Sequence, residues 1–137
     1  MATTKLAFVV KSLPYKTEAS RLAMTHAIAS QTVEIYLEDG DMVEPVVCFI
    51  GDGVLNCLKN QAAGKHYDVT SLEQHIKNSL LLDLNVLICK EDLDRFGIKE
   101  DNLIMDAEDL GGETRAQIVP YSEIQKAMES VNHVQFF

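Results

Sequence analysis

The stretch "PVVCFIGDGV", residues 45–54, indicates the fold more clearly than any other part of the chain. Pro45–Ile50 is a continuous apolar run, which is typical of a parallel strand covered on both faces. Proline is tolerated at the first position of a strand. After the Gly-Asp-Gly turn, Val54, Leu55 and Leu58 have the spacing of one helix face. A buried strand, a tight turn and a helix together predict a βαβ unit.

The segments on either side continue this alternation. Further strands are predicted at Lys5–Val10, in "LNVLIC" at residues 84–89 and in "HVQFF" at residues 133–137. The predicted helices are "EASRLAMTHAIA" (18–29), "TSLEQHIKNSLLL" (70–82), "KEDLDRFGI" (90–98) and "PYSEIQKAMESV" (120–131). Alternating strands and helices predict an α/β protein. We expect a single Rossmann-like domain over residues 1–137, with a mostly parallel sheet of about five strands and helices on both faces.

Several local features are predicted as well. Thr17 is a candidate N-cap of the first helix, Ser71 or Thr70 caps the helix at 70–82, and Gly97 closes the helix at 90–98. "TVEIYL" (32–37) either extends the first helix toward Gly40 or forms a short strand after a helix that ends near residue 30. "NLIMDA" (102–107) is a candidate short strand.

The composition excludes several functional classes. The chain has 21 acidic and 12 basic side chains among 137 residues, for a formal net charge of -9. Such a charge disfavours direct binding to nucleic acid. No apolar run reaches the roughly 18 residues of a membrane span, and the N-terminal stretch lacks a signal-peptide pattern, so we expect a cytoplasmic protein without membrane association. The three cysteines are widely spaced and form no metal-binding motif, so neither a disulfide framework nor a metal site is expected.

The Gly-Asp-Gly turn is the first candidate site. Exposed N–H groups at the start of the following helix could bind an anion. The turn lacks the three-glycine dinucleotide fingerprint and the phosphate-loop lysine. Asp52 would compete with an anion by capping the same N–H groups, so a capped structural turn is the alternative.

Cys89 is the second candidate site, because it follows a buried strand and precedes a helix. The helix start and Lys90 would lower the pKa of its thiol, whereas the carboxylates of Glu91, Asp92 and Asp94 would raise it. Free cysteine is also among the residue types most often buried, so a packing role is the alternative. Cys48 is expected in the core, and Cys57 is expected in the core or half-buried. His66 could approach an active site from its loop, although a solvated position is the simpler interpretation.

Four segments resemble the DsrE/DsrF-like sulfur-relay family. They are "FVVKSLPYKTEASRLAMTHAIA" (8–29), "VVCFIGDGVLNCLKNQ" (46–61), "LNVLICKEDLDRFGIKEDNLI" (84–104) and "VNHVQFF" (131–137). The resemblance implies a compact Rossmann-like domain, assembly into homo- or hetero-oligomers (trimers or hexamers), and transfer of sulfane sulfur as a cysteine persulfide between donor and acceptor proteins. Cys89 matches the position of the family's carrier cysteine. The implied activity is that of a sulfurtransferase that uses no cofactor.

Two other functions stay open. The "FIGDGV" junction and the "HVQFF" ending are similar to the DsrF and TusC branch of the family, whose members commonly serve as structural partners. The chain is therefore alternatively a non-catalytic subunit of a sulfur-relay complex. A small module that binds an anion or nucleotide at the Gly-Asp-Gly turn is the remaining alternative.

Overall fold

A computed structural model describes residues 3–32 and 41–137 of the chain. The strands are β1 (Thr3–Val10), β2 (Met42–Phe49), β3 (Asn85–Cys89), β4 (Gln117–Val119) and β5 (His133–Phe136). The α-helices are α1 (Ala19–Gln31), α2 (Ala63–Tyr67), α3 (Leu72–Leu81), α4 (Lys90–Phe96) and α5 (Tyr121–Ser130). Short 3-10 helices span Gly51–Cys57, Glu100–Asn102 and Glu108–Leu110. None of the helices in the described ranges is long and apolar enough to cross a membrane.

The five strands form one parallel sheet in the order β4-β3-β2-β1-β5. Helices α1 and α3 contact each other. They connect β1 to β2 and β2 to β3, so both crossovers move toward the same edge of the sheet. The crossover through α5 runs in the opposite direction, from β4 to β5. Because such crossovers are right-handed, α5 covers the opposite face. The predicted α/β fold with a parallel sheet of about five strands is confirmed.

The three central strands carry the core. Residues 7–10 of β1, 45–49 of β2 and 86–89 of β3 are all buried. Each run is apolar without alternation because helices cover both faces of these strands. Burial of each large side chain in these runs contributes about 1.5–3 kcal/mol of favourable transfer free energy. The apolar runs in the sequence therefore correspond to central strands.

The segment after β2 differs from the predicted α-helix. Residues Gly51–Cys57 form a 3-10 helix instead. The buried Asn56 amide donates a hydrogen bond to the Gly53 carbonyl at 2.9 Å, and in an α-helix that carbonyl would accept from the Cys57 N–H. The Asn56 side chain therefore competes with α-helical pairing at this position.

Three other local predictions are corrected. Pro45 lies inside β2 rather than at its start, which is tolerated because pairing with β3 begins only at Val46. "NLIMDA" is not a strand of the sheet, and its Leu103 and Asp106 form only isolated antiparallel bridges with Leu58 and Arg115. Thr17 accepts a hydrogen bond from the Ala19 N–H at 3.2 Å, but the N-cap position itself is Glu18.

Two predicted helix ends are confirmed. The Ser71 hydroxyl accepts a hydrogen bond from the Glu73 N–H at 3.2 Å and caps α3. Gly97 closes α4, as predicted. Helix α1 ends at Gln31, and the two interpretations of "TVEIYL" concern residues 33–37, which lie outside the described residues.

Candidate site at the carboxyl edge of the sheet

The two junctions singled out in the sequence meet at one edge of the sheet. Strands β2 and β3 are parallel neighbours, with Phe49 opposite Ile88, so the residues that follow them are adjacent. The Gly51 N–H donates a hydrogen bond to Asp92 Oδ2 at 2.7 Å. The Gly-Asp-Gly turn and the segment after Cys89 thus form a single site, at the edge where parallel sheets place reactive groups.

Both glycines of the turn are required by geometry. Gly51 has a φ of +54°, in the left-handed region that favours glycine. At Gly53 a Cβ atom would lie 1.9 Å from the Val10 carbonyl oxygen, so the turn packs directly against the backbone of β1. The Gly53 N–H donates to the Ile50 carbonyl at 2.8 Å. The N–H groups of Gly51 and Gly53 therefore both have internal acceptors, which removes the main support for an anion site here.

Asp52 does not cap the turn, which corrects the sequence-based expectation. Its carboxylate is half exposed and lies 3.8 Å from the Arg95 guanidinium. The cap is supplied instead by Asp92, which approaches from α4 across the sheet edge.

Cys89 is the last residue of β3 and is buried, with 1% of its surface exposed. Burial raises the pKa of its thiol to about 11. The Asp92 N–H opposes this rise, while the Asp92 carboxylate and the charge of Glu91 add to it. The sequence left the balance between lowering and raising effects open. Desolvation decides it, because together with the carboxylates it outweighs the contact with the helix start.

Asp92 connects the parts of the site. Besides the Gly51 N–H, it pairs with Arg95 at 3.4 Å and interacts with the Cys89 thiol. Burial alone would raise the pKa of Asp92, but the Gly51 N–H, the Cys89 thiol and Arg95 together lower it below its usual range. The carboxylate is therefore ionised at neutral pH, in the first turn of the helix whose N-cap residue is Cys89.

Glu91 makes the equivalent connection on the other side. Its two carboxylate oxygens accept from the Tyr121 N–H, at 2.9 and 3.1 Å, at the start of α5. Sequence reasoning treated Glu91 and Asp92 only as charges that oppose a thiolate and missed their capping roles. The sequence does contain one indication of these roles. The N-cap residues of the 3-10 helix after β2 and of α5 are Ile50 and Pro120, whose side chains cannot cap a helix, so another residue has to do so.

Asn56 is a second residue that sequence reasoning missed. It is buried, and its amide nitrogen donates to the Ser12 carbonyl at 3.0 Å as well as to Gly53. These bonds join the loop after β1 to the turn after β2. Within the described residues, its Oδ1 atom is buried without a hydrogen-bond partner.

The other candidate residues lie away from this chemistry. Cys48 and Cys57 are fully buried, as predicted; burial raises the pKa of Cys48 to about 12 and raises that of Cys57 further still. His66 lies in α2, where its ring contacts Tyr67. In residues 3–32 and 41–137, no group of three His, Cys, Asp or Glu side chains is arranged to hold a metal ion.

Comparison with known proteins identifies the family. The model of the DsrE/DsrF-like family matches residues 4–130. The chain is 30% identical over 110 residues to a protein TusC homolog of Aliivibrio fischeri, which covers 77% of this chain and 83% of that protein.

Solved structures share the fold. The ychN protein from E. coli superposes with a TM-score of 0.72 at 22% identity, over 98% of this chain and 99% of that chain. A protein of unknown function from Methanobacterium thermoautotrophicum superposes with a TM-score of 0.62 at 12% identity, over 96% and 99%. Since the family match spans most of the sequence and includes both junctions of the site, the chain belongs to the DsrE/DsrF-like family.

Proposed function

We propose that this protein is a subunit of a sulfur-relay complex and that Cys89 carries sulfane sulfur as a persulfide. The observation that supports this most is the location of Cys89 at the carboxyl end of β3, beside the turn after β2. Among the three cysteines, Cys89 is the one whose thiol also interacts with polar groups, whereas burial alone accounts for the shifts of Cys48 and Cys57. Membership of the DsrE/DsrF-like family supports the sulfur-relay class.

The chemistry is an exchange at sulfur. The Cys89 thiolate attacks the outer sulfur of a donor persulfide, a new S–S bond forms on Cys89, and the S–S bond of the donor breaks. The donor leaves as a thiolate and takes up the proton that Cys89 lost. Attack by an acceptor thiolate on the outer sulfur reverses these steps. No electrons are gained or lost overall, and neither a metal nor an organic cofactor is required.

The isolated chain holds Cys89 in a closed state. With its pKa raised to about 11, far fewer Cys89 thiols are ionised at pH 7.5 than the roughly one in ten of an ordinary cysteine. We therefore expect sulfur transfer to be slow in the isolated chain and faster when a donor or acceptor protein opens the site. We expect the site to open within a homo- or hetero-oligomer, either a trimer or a hexamer. The cytoplasmic location of the protein stays a prediction.

A non-catalytic structural subunit is the second candidate function. The 1% exposure of Cys89 and its raised pKa favour it, as does the similarity to a protein named TusC homolog. In that case Cys89 fills space at the end of β3, and the protein contributes surface to the complex.

The adduct test separates the two functions. The native protein is incubated with a low-molecular-weight persulfide donor at pH 7.5 and pH 9.5, and its intact mass is measured. We expect a gain of about 32 mass units for one sulfur atom, faster at the higher pH because more thiolate is present. The gain should disappear in Cys89→Ser and persist in Cys48→Ala and Cys57→Ala, which are the matched controls.

Other outcomes of the adduct test would support the non-catalytic structural role. If the folded protein gains no sulfur at either pH, or gains it equally in Cys89→Ser, then Cys89 is not a carrier. An unchanged oligomer size in Cys89→Ser, measured by size-exclusion chromatography with light scattering, would then leave assembly as the function of the chain.

A further inference from the structure

We propose that Asp92 is the positioning residue that keeps Cys89 unreactive, and that displacement of its carboxylate releases the thiol for reaction. This role of Asp92 rests on the proposed function, because control of the Cys89 thiol matters only if Cys89 carries sulfur. It concerns the reactivity of the thiol toward any electrophile, however, so it can be tested without a sulfur donor.

The Asp92 carboxylate is held from two directions, by the Gly51 N–H at 2.7 Å and by the Arg95 guanidinium at 3.4 Å. The first contact ties the turn after β2 to α4, directly beside the end of β3. Cys89 is the N-cap residue of α4 and has 1% of its surface exposed. Asp92 thus fixes the turn beside the thiol and helps to exclude solvent from it.

Cys89 is the N-cap residue of α4, with Glu91 and Asp92 in the first turn, and the charges of both carboxylates raise the pKa of the thiol. Ionisation of Cys89 would place an anion against these carboxylates in a desolvated position, which is unfavourable. Arg95 does not relieve this conflict, because its guanidinium is half exposed and is shared between Asp92 and Asp52. The carboxylate therefore favours the protonated thiol as well as the closed geometry.

Two variants separate these effects. Asp92→Asn removes the charge but keeps a side-chain oxygen that can accept from the Gly51 N–H. Asp92→Ala removes both the charge and the acceptor. Asp94→Asn is the matched control, because it removes one carboxylate from the exposed side of the same helix.

The experiment measures the rate of Cys89 alkylation by iodoacetamide in the intact native chain from pH 7 to pH 11, with peptide mass mapping of all three cysteines. In Asp92→Asn, we expect the rate at pH 8 to rise about 10-fold and the pH profile to move down by about one unit, since a neighbouring charge shifts a pKa by 1–3 units. Asp92→Ala should react faster still, because the turn is no longer held. Asp94→Asn should stay within about twofold of the wild-type rate, because an exposed charge is screened by solvent.

Cys48 and Cys57 are the internal control for folding. If they stay unreactive while Cys89 becomes faster, the effect is local and the inference is supported. If Asp92→Asn has the wild-type pH profile, or all three cysteines gain reactivity together, Asp92 has no specific effect on Cys89 and the inference is wrong. A faster Cys89 without any sulfur adduct would contradict the proposed function alone, whereas an adduct with unchanged alkylation would contradict only the role of Asp92.

Discussion

Gly53→Ala should lower the free energy of unfolding by about 3 kcal/mol, at the upper end of the usual range for overpacking. The added Cβ would lie 1.9 Å from the Val10 carbonyl oxygen and 2.6 Å from its carbon. Both atoms belong to the backbone, so no side-chain rotation can relieve the clash. The turn would have to move away from β1, and this would also weaken the hydrogen bond from the Ile50 N–H to the same Val10 oxygen, now 3.0 Å.

Urea unfolding followed by circular dichroism measures this effect, with Gly64→Ala as the matched control. Gly64 lies in α2, and an added Cβ there would meet only the Val69 carbonyl oxygen, at 3.9 Å. Since alanine has the higher helix propensity, Gly64→Ala should be neutral or stabilise the protein by about 0.5–1 kcal/mol. A Gly53→Ala variant within 1 kcal/mol of wild type would show that the turn does not pack against β1 as described.

Phe49→Ala should destabilise the protein by about 3–5 kcal/mol, the range for removing a buried phenylalanine ring. Phe49 is the last residue of β2, has 1% of its surface exposed, and pairs in register with Ile88 of β3. Truncation would leave a cavity at the carboxyl edge of the sheet, below the turn that carries Gly51. Because the neighbouring strands are held in register on both sides, the cavity can collapse only partly.

The same unfolding measurement with Phe96→Ala isolates the effect of burial. Phe96 is 38% exposed, and the Arg95 guanidinium lies 4.4 Å from the centre of its ring. Its loss removes an exposed cation–π contact of about 0.5–1 kcal/mol and less buried area than the loss of Phe49. Equal destabilisation by the two substitutions would contradict the assignment of Phe49 to the core.

The sequence was sufficient for the fold because the central strands are apolar throughout. Runs such as Val46–Phe49 and Val86–Cys89 have no polar face, and only a sheet covered on both sides accommodates them. Where one side chain altered the backbone pairing, prediction failed. At Gly51–Cys57, the spacing of Val54, Leu55 and Leu58 suggested an α-helix, whereas the Asn56 side chain takes the carbonyl that an α-helix needs.

The candidate site was predictable only in part. The apolar runs in the sequence placed Cys89 at the end of a strand and the two glycines in the tight turn after another strand. The contact between Asp92 and Gly51 could not be predicted in this way, because it depends on β2 and β3 being neighbours and on the lengths of both strands. The same limit explains the pKa of Cys89, since charges close in sequence were visible but the extent of burial of the thiol in the folded chain was not.

The paired carboxylates of α4 have a mechanical consequence. Glu91 accepts a hydrogen bond from the start of α5, and Asp92 accepts one from the turn after β2. The seven-residue helix α4 is therefore bonded to the segments on both of its sides. We therefore expect a partner protein that displaces the start of α5 to displace the turn after β2 as well, and the reverse, because both are bonded to α4. Because Cys89 is the N-cap residue of α4, we expect displacement of the start of α5 to change the surroundings of its thiol.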